Sequence, residues 1–145
     1  MEKVDIYTDG SCIGNPGPGG WGFIIKYENG VIKEYSGSER QTTNNRMELA
    51  AAIKATSYFK KKTKINIYTD SKYLKEGITV WIKKWKVNNW KTSNKKDVKN
   101  SDLWKTLEET IKKHDIKWIW VKGHNENILN EKADVLAKKA IYKSK

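Results

Sequence analysis

The tetrapeptide IYTD occurs twice in the chain, as IYTDGS at residues 6–11 and as IYTDSK at residues 67–72. In the first copy Val4, Ile6 and Thr8 share one face and Asp5, Tyr7 and Asp9 the other, the period of a β-strand. The second copy ends a similar run, KINIYTD, so each strand closes on an aspartate followed by a turn-former. A helical pattern lies between the copies, and strands joined by a helical crossover run parallel. The second strand is therefore expected beside the first. Asp9 and Asp70 would then sit about 4.8 Å apart, one strand spacing, on one edge of the sheet. Ligands of open α/β sheets bind at such carboxyl ends.

Around this pair the rest of the chain falls into order. The glycine-rich GSCIGNPGPGG reads as a loop, followed by the strands WGFIIKY and VIKEYSGS, with Asn29-Gly30 between them as a hairpin signal. NNRMELAAAIKATSYFKK, rich in alanine and free of proline, predicts a helix of about four turns. Beyond Asp70 two short helical pieces are expected, near Ser71 to Gly77 and Thr79 to Trp85. A lysine-rich stretch then runs to Asn100, and a helix carries Leu103, Leu107 and Ile111. IKWIWVKGH predicts the fifth strand and NEKADVLAKKAIYK a final helix. The order implies an α/β domain over residues 1–145, with a mixed five-stranded sheet and helices on both faces.

Lysine and arginine number 29 against 17 acids, a net charge of +12. Such an excess points to an anionic partner, nucleic acid first. Arg40 and Arg46 are the two arginines and the rest is lysine, which a generic solvated surface would also show. The single cysteine, Cys12, excludes an internal disulfide and fits a reducing compartment. Charges in MEKVDIYTDG stand where a signal peptide needs apolar residues, and no run reaches membrane-spanning length. A soluble, cytoplasmic protein is expected.

Two adjacent carboxylates repel, and only Lys72 is at hand locally to relieve them; a divalent cation is the other remedy. Glu48 shares a helical stripe with Ala52, Ala55 and Phe59, which turns it toward the sheet. A capping box from Asn45 to Glu48 accounts for it equally well. Asp134 has Ala137 and Ile141 on its side of the last helix, although acids near helix starts are common for dipole reasons. Singly, each acid is more often structural. Four on one sheet edge suit magnesium or manganese, which prefer oxygen ligands. Two such ions about 4 Å apart form the clamp used for in-line phosphodiester displacement.

The blocks YTDGSCIGNPGPGGWG, TTNNRMELAAAI, YTDSKYL, WIKKW, WKTSNKKDVKNSDLW and WVKGHNENILNEKADVLA together resemble bacterial type 1 ribonuclease H, from Val4 to about Ala140. The resemblance implies a metal-dependent endonuclease that cuts the RNA strand of RNA/DNA hybrids and leaves 5′-phosphate and 3′-hydroxyl ends; a monomer is expected. It implies Asp9, Glu48, Asp70 and Asp134 as metal-binding acids for two Mg2+ ions, with Mn2+ as a substitute, and His124 as a catalytic-loop histidine. Residues 81–100 resemble the family's basic protrusion, with Lys83 and Lys84 on the hybrid and Trp81 and Trp104 close to the DNA strand. Backbone from Gly10 to Asn15, including Cys12, would meet the minor groove with Asn44 and Asn45. Thr43 and Asn15 match positions that hold a DNA phosphate. The family's arginine two residues before that threonine is Gln41 here, with Arg40 one place earlier.

The residues themselves support parts of this. Residues 83–99 hold seven lysines and one acid, suited to phosphates without reading sequence. Trp81, Trp85 and Trp90 offer base stacking, or a small local core, the reading favoured for Trp85. Residues 17–22 match G-x-G-x-x-G, but Pro16 and Pro18 occupy the stretch and a strand follows, so a dinucleotide site is not expected. Two other classes stay open: a binding module without catalysis, which leaves four acids in a cationic protein unexplained, and a nuclease of the same fold acting on DNA.

Overall fold

The computed structural model describes residues 1–122 and 127–143. β1 (Lys3–Cys12), β2 (Gly17–Tyr27) and β3 (Ile32–Thr42) form an antiparallel meander, followed by α1 (Asn44–Tyr58) and β4 (Lys64–Thr69). Then come α2 (Lys72–Glu76), a π-helical turn (Gly77–Trp81), α3 (Ile82–Val87), α4 (Ser101–Lys112), β5 (Asp115–Trp120) and α5 (Ile128–Lys143). The sheet runs β3-β2-β1-β4-β5, with β4 parallel to β1 and β5 parallel to β4. The expected mixed five-stranded sheet is thus present.

Both faces of the sheet are covered. Val4, Ile6, Phe23, Ile25, Ile65 and Ile67 pack with Ala55 of α1 on one face. Tyr7 and Ile24 meet Ala133 of α5 on the other. Each fully buried aliphatic side chain contributes about 1.5–3 kcal/mol. His114 lies buried between α4 and β5: its Nδ1 accepts from the Thr63 N–H at 3.1 Å, and its Nε2 lies 2.8 Å from the Thr56 carbonyl. It ties elements together and takes no part in the acid cluster. Among the described residues no helix is long and apolar enough to cross a membrane.

Three local expectations are corrected. The glycine-rich stretch is mostly strand: β1 continues to Cys12 and β2 begins at Gly17, with a short connection carrying a cis Asn15–Pro16 peptide. Glycine lacks the side-chain alternation that marks a strand, and tertiary packing overrides its poor propensity. A methyl group at Gly20 would run into the backbone carbonyl of Ala137 in α5, and one at Gly10 into the backbone of Met47 and Glu48 in α1. Glycine therefore lets both helices reach the sheet. The two expected helical pieces after Asp70 are one run, joined through the π-turn. The cap of α1 is Thr43 instead of Asn45: its hydroxyl accepts from the Arg46 N–H at 3.2 Å. Glu48 is then too far along the helix for a capping box.

The hairpin turn forms as expected, with Gly30 at φ +89° and open space around it. Two alanine substitutions should therefore behave differently. Gly20→Ala forces strand and α5 apart and should cost at least about 3 kcal/mol in urea unfolding, the upper range for overpacking. Gly30→Ala meets only the backbone penalty of a left-handed residue, about 1–2 kcal/mol. Equal losses at the two positions would contradict the close helix–sheet contact.

Candidate active site

The parallel ladder pairs Tyr7 with Tyr68, and their rings stack at 4.5 Å with planes 13° apart. On the same face Asn66 Nδ2 donates to Asp5 Oδ1 at 3.0 Å. Two residues beyond the tyrosine pair the strands present Asp9 and Asp70, brought to one edge by register. Glu48 descends from α1 over Gly10, held there by the Thr43 cap and by the alanines packed on the sheet. Asp134 comes from α5, and its Oδ2 is 3.0 Å from Lys138 Nζ, one helical turn on. The four acids line one cleft of about 480 Å3, together with Asn44, Asn45 and Lys138.

This is an electrostatically costly arrangement. Asp9 and Glu48 are 4% and 6% exposed. Burial, followed by the negative charge of Asp70, pushes the Asp9 carboxyl up to about 7; the Gly10 N–H, 2.8 Å from Asp9 Oδ1, pulls the other way. Burial also raises Glu48 well above the ordinary carboxylate range, reinforced by the charge of Asp9. Asp9 Oδ2 and Glu48 Oε2 are buried without a hydrogen-bond partner among the described residues. Buried carboxylate oxygens left unpaired cost several kcal/mol unless a cation or proton meets them. Among the described residues no three acid, histidine or cysteine side chains already stand as ligands of one ion. The donors nonetheless fit a hard divalent cation: all are carboxylate oxygens, and Asp9 and Glu48 each leave one of them buried and unpaired among the described residues.

The positions expected to bind substrate surround the cleft unevenly. Asn44 and Asn45 line it from the first turn of α1. Asn15 Oδ1 accepts from the Asn44 N–H at 2.8 Å, which ties the β1–β2 connection to the helix start. Thr43 caps α1, while Arg40 and Gln41 are exposed at the end of β3. Cys12 is half-buried, its Sγ 3.5 Å from the carbonyl oxygens of Gly17 and Thr42. Lys83 and Lys84 are exposed on α3, and Trp81 stands half-buried at the end of the π-turn, edge-on to Tyr73. His124 lies outside the described residues.

Trp104 requires correction. It is 0% exposed, so it has no surface for the DNA strand. Its indole N–H donates to the Tyr73 hydroxyl at 3.0 Å, its ring lies against Gly77, and it packs with Trp85 and Tyr73. Its role is to hold the π-turn and thereby Trp81. Trp85 and Trp90 join the same cluster, the local core expected for Trp85.

Two residues near the site escaped the sequence reading. Lys138 faces Asp134, a signal available from the i,i+4 acid–lysine spacing. Arg46 grips both carboxylate oxygens of Asp102 at 3.1 and 2.9 Å and also reaches Asn100, locking α1 to the start of α4. Their separation in sequence left no local signal.

The family model for RNase H matches residues 1–142. Ribonuclease H of Francisella philomiragia is 62% identical over 140 residues, which cover 97% of this chain and 91% of that protein. Ribonuclease H of Francisella tularensis subsp. novicida is 60% identical with the same coverage. LC9-RNase H1, a type 1 RNase H with the type 2 active-site motif, superposes with a TM-score of 0.89 at 32% identity, covering all of this chain and 74% of that one. LC11-RNase H1, solved with an RNA/DNA hybrid, shares the fold at 23% identity with a TM-score of 0.66, covering 97% of this chain and 98% of that one. With sheet order, acid edge and sequence in agreement, the chain belongs to the ribonuclease H family.

Proposed function

We propose that the protein is an endonuclease that hydrolyses the RNA strand of RNA/DNA hybrids with two divalent metal ions, leaving 5′-phosphate and 3′-hydroxyl ends. The observation that carries this reading is the set of buried, unpaired oxygens of Asp9 and Glu48, in one cleft with Asp70 and Asp134. A protein of charge +12 that only bound nucleic acid would gain nothing from acids beside the phosphate path. The hybrid held by LC11-RNase H1 supports the choice of substrate.

In this reading Asp9, Glu48, Asp70 and Asp134 hold Mg2+, or Mn2+ in its place. When bound, such ions supply Lewis-acid stabilisation of the phosphorane charge and activation of water. The chain's own groups position and exclude. Water adds its oxygen to phosphorus and the bond to the ribose 3′-oxygen breaks, which then takes a proton; His124 is the candidate for handling it. Lys138 balances the charge of Asp134 from one helical turn on. The Asn44 and Asn45 amides, which line the cleft, meet ribose 2′-hydroxyls in this reading, the group that separates RNA from DNA. Asn15 and Thr43 keep donors free for the phosphate of the complementary strand. Trp81, Lys83 and Lys84 hold that strand further out, on a mount stiffened by Trp104.

Asp70→Asn keeps the shape of the cleft and removes one charge. Cleavage of hybrid with a labelled RNA strand should fall at least about 100-fold, because the ions supply several kcal/mol of the barrier reduction. Hybrid binding in chelator should stay within a few-fold. Near-normal cleavage would remove Asp70 from the catalytic set. The wild-type protein should cut RNA in the hybrid and leave duplex DNA, duplex RNA and single-stranded RNA intact.

A readout independent of activity follows from Asp9. Its carboxyl is protonated up to about pH 7 when folded and to about 3.9 when unfolded, so the folded state holds the extra proton between those values. Stability contributed by this group is present below the unfolded value and lost as pH rises through the folded one. Without metal, the wild-type protein should therefore lose on the order of 2–4 kcal/mol between pH 4 and 8 from this site. Asp9→Asn should flatten that loss, and Mg2+ should raise the pH 8 urea midpoint of the wild type more than that of the variant. A variant that tracks the wild type in both respects would show that the acid cluster is not the source.

A further inference from the structure

Beside the acid cleft, over the ends of β4 and β5, lies a second opening of about 500 Å3. Lys72, Lys75, Trp120 and Lys122 line it, with Asp70 and Ser71 forming a wall common to both clefts. Neither the basic protrusion nor the Thr43 side includes these lysines. They arrive from two elements, α2 and the residues that follow β5, onto one concave surface. All three are exposed, and among the described residues none has a carboxylate partner in an ion pair. Trp120 is half-buried and braced: it stacks on Trp118 with planes 8° apart and packs against the α1–α4 core.

Lysines scattered on a basic surface need no ligand. Three unpaired ammonium groups converging beside a fixed indole are a different case, because lysine neutralises phosphate while an aromatic face takes a base or sugar of any sequence. The volume suits a single nucleotide. We propose that this cleft seats the nucleotide of the cleaved strand next to the scissile phosphate, with its phosphate on Lys75 and Lys122 and its base or sugar on Trp120. The strand is the one being cut because the cleft shares Asp70 with the acid site, whereas the complementary strand is assigned to Asn15 and Thr43 beyond Asp9. Lys72, on both cleft walls, bridges the two positions. The inference rests on the hybrid-cleavage reading above and gives the enzyme a grip on the RNA that the protrusion does not supply.

The test is a double-mutant cycle between protein and substrate. Lys75→Ala/Lys122→Ala removes two exposed side chains, and an unchanged melting temperature would verify folding. Binding to one hybrid is measured in chelator with the RNA strand full length, or with the RNA shortened to the cut on one side or on the other; a matching series shortens the DNA strand. The wild type should lose about tenfold in affinity when the RNA is shortened on one particular side. The double variant should bind the full-length hybrid about tenfold more weakly and lose less than twofold on that truncation. Its dependence of log affinity on log salt should be shallower by about 1.4–1.8, the release expected for two phosphate contacts. Trp120→Ala should reproduce the loss of sensitivity to truncation without the change in salt slope. Equal losses on full-length and shortened RNA, no loss at all, or coupling to the DNA strand would each overturn the cleft assignment. Failure of the wild type itself to cut hybrid would instead overturn the reading beneath it, and is seen before any variant is made.

Discussion

The parallel ladder between β1 and β4 is the constraint on which the rest of the structure depends. Its register sets Tyr7 against Tyr68, and the stacked rings together with the Asn66–Asp5 hydrogen bond hold the pair along one face. A shift of one residue would turn Ile65 and Ile67 out of the core and carry Asp70 to the other side of the sheet. Hydrophobic burial therefore enforces the register, and the register enforces the juxtaposition of two like charges. The site is assembled by forces that have no interest in its chemistry.

That arrangement explains where stability must come from. Asp9 and Glu48 oppose folding whenever both are charged, since each is buried and neither buried free oxygen finds a donor among the described residues. The compensating contacts lie just beneath and beside them: glycine-mediated approach of α1 and α5 to the sheet, the Thr43 cap, and the clamp of Arg46 on Asp102 and Asn100. A rigid frame of this kind keeps the acids in place despite their mutual repulsion, and in the metal-dependent reading proposed above an ion would bind with little reorganisation.

Much of this was legible in the sequence, and the illegible parts have physical reasons. Alternation around Ile6 and Ile67, the helical crossover, and Asn29-Gly30 define strand order and the meeting of Asp9 with Asp70, because burial imposes period on side chains. The inward lean of Glu48 was visible from Ala52 and Ala55, but the cap was not. Four consecutive residues, Thr42, Thr43, Asn44 and Asn45, can all cap a helix; the pairing of Thr42 with Gly17 keeps it in β3, and α1 starts at Asn44 on a Thr43 cap. The stretch from Gly17 to Gly20 hid a strand because its glycines answer to contacts no local pattern shows: Gly17 to the Ile13 carbonyl, Gly19 to Thr42 and Met47, and Gly20 to Ala137 of α5, more than a hundred residues away. Trp104 was read as a surface aromatic for the same reason: its burial depends on Gly77 and Tyr73, which the π-turn brings beneath it.

The distribution of charge then fits the shape of the task. Lysine supplies most of the positive field, and its ammonium is a flexible point charge, suited to phosphates at any sequence, whereas arginine's planar fork would fix geometry. The one arginine with a bidentate partner, Arg46, is spent on structure between α1 and α4. Four acids occupy one edge of the sheet and lysines its flanks, so the field that attracts a polyanion surrounds a cleft of carboxylates. In the reading proposed above, a hybrid gripped through its complementary strand by α3 and through its cleaved strand by the β4–β5 cleft presents the scissile phosphate to the acids without any need to recognise its bases. Affinity and chemistry are thereby carried by different residues, which is why loss of an acid and loss of a flanking lysine should leave different marks.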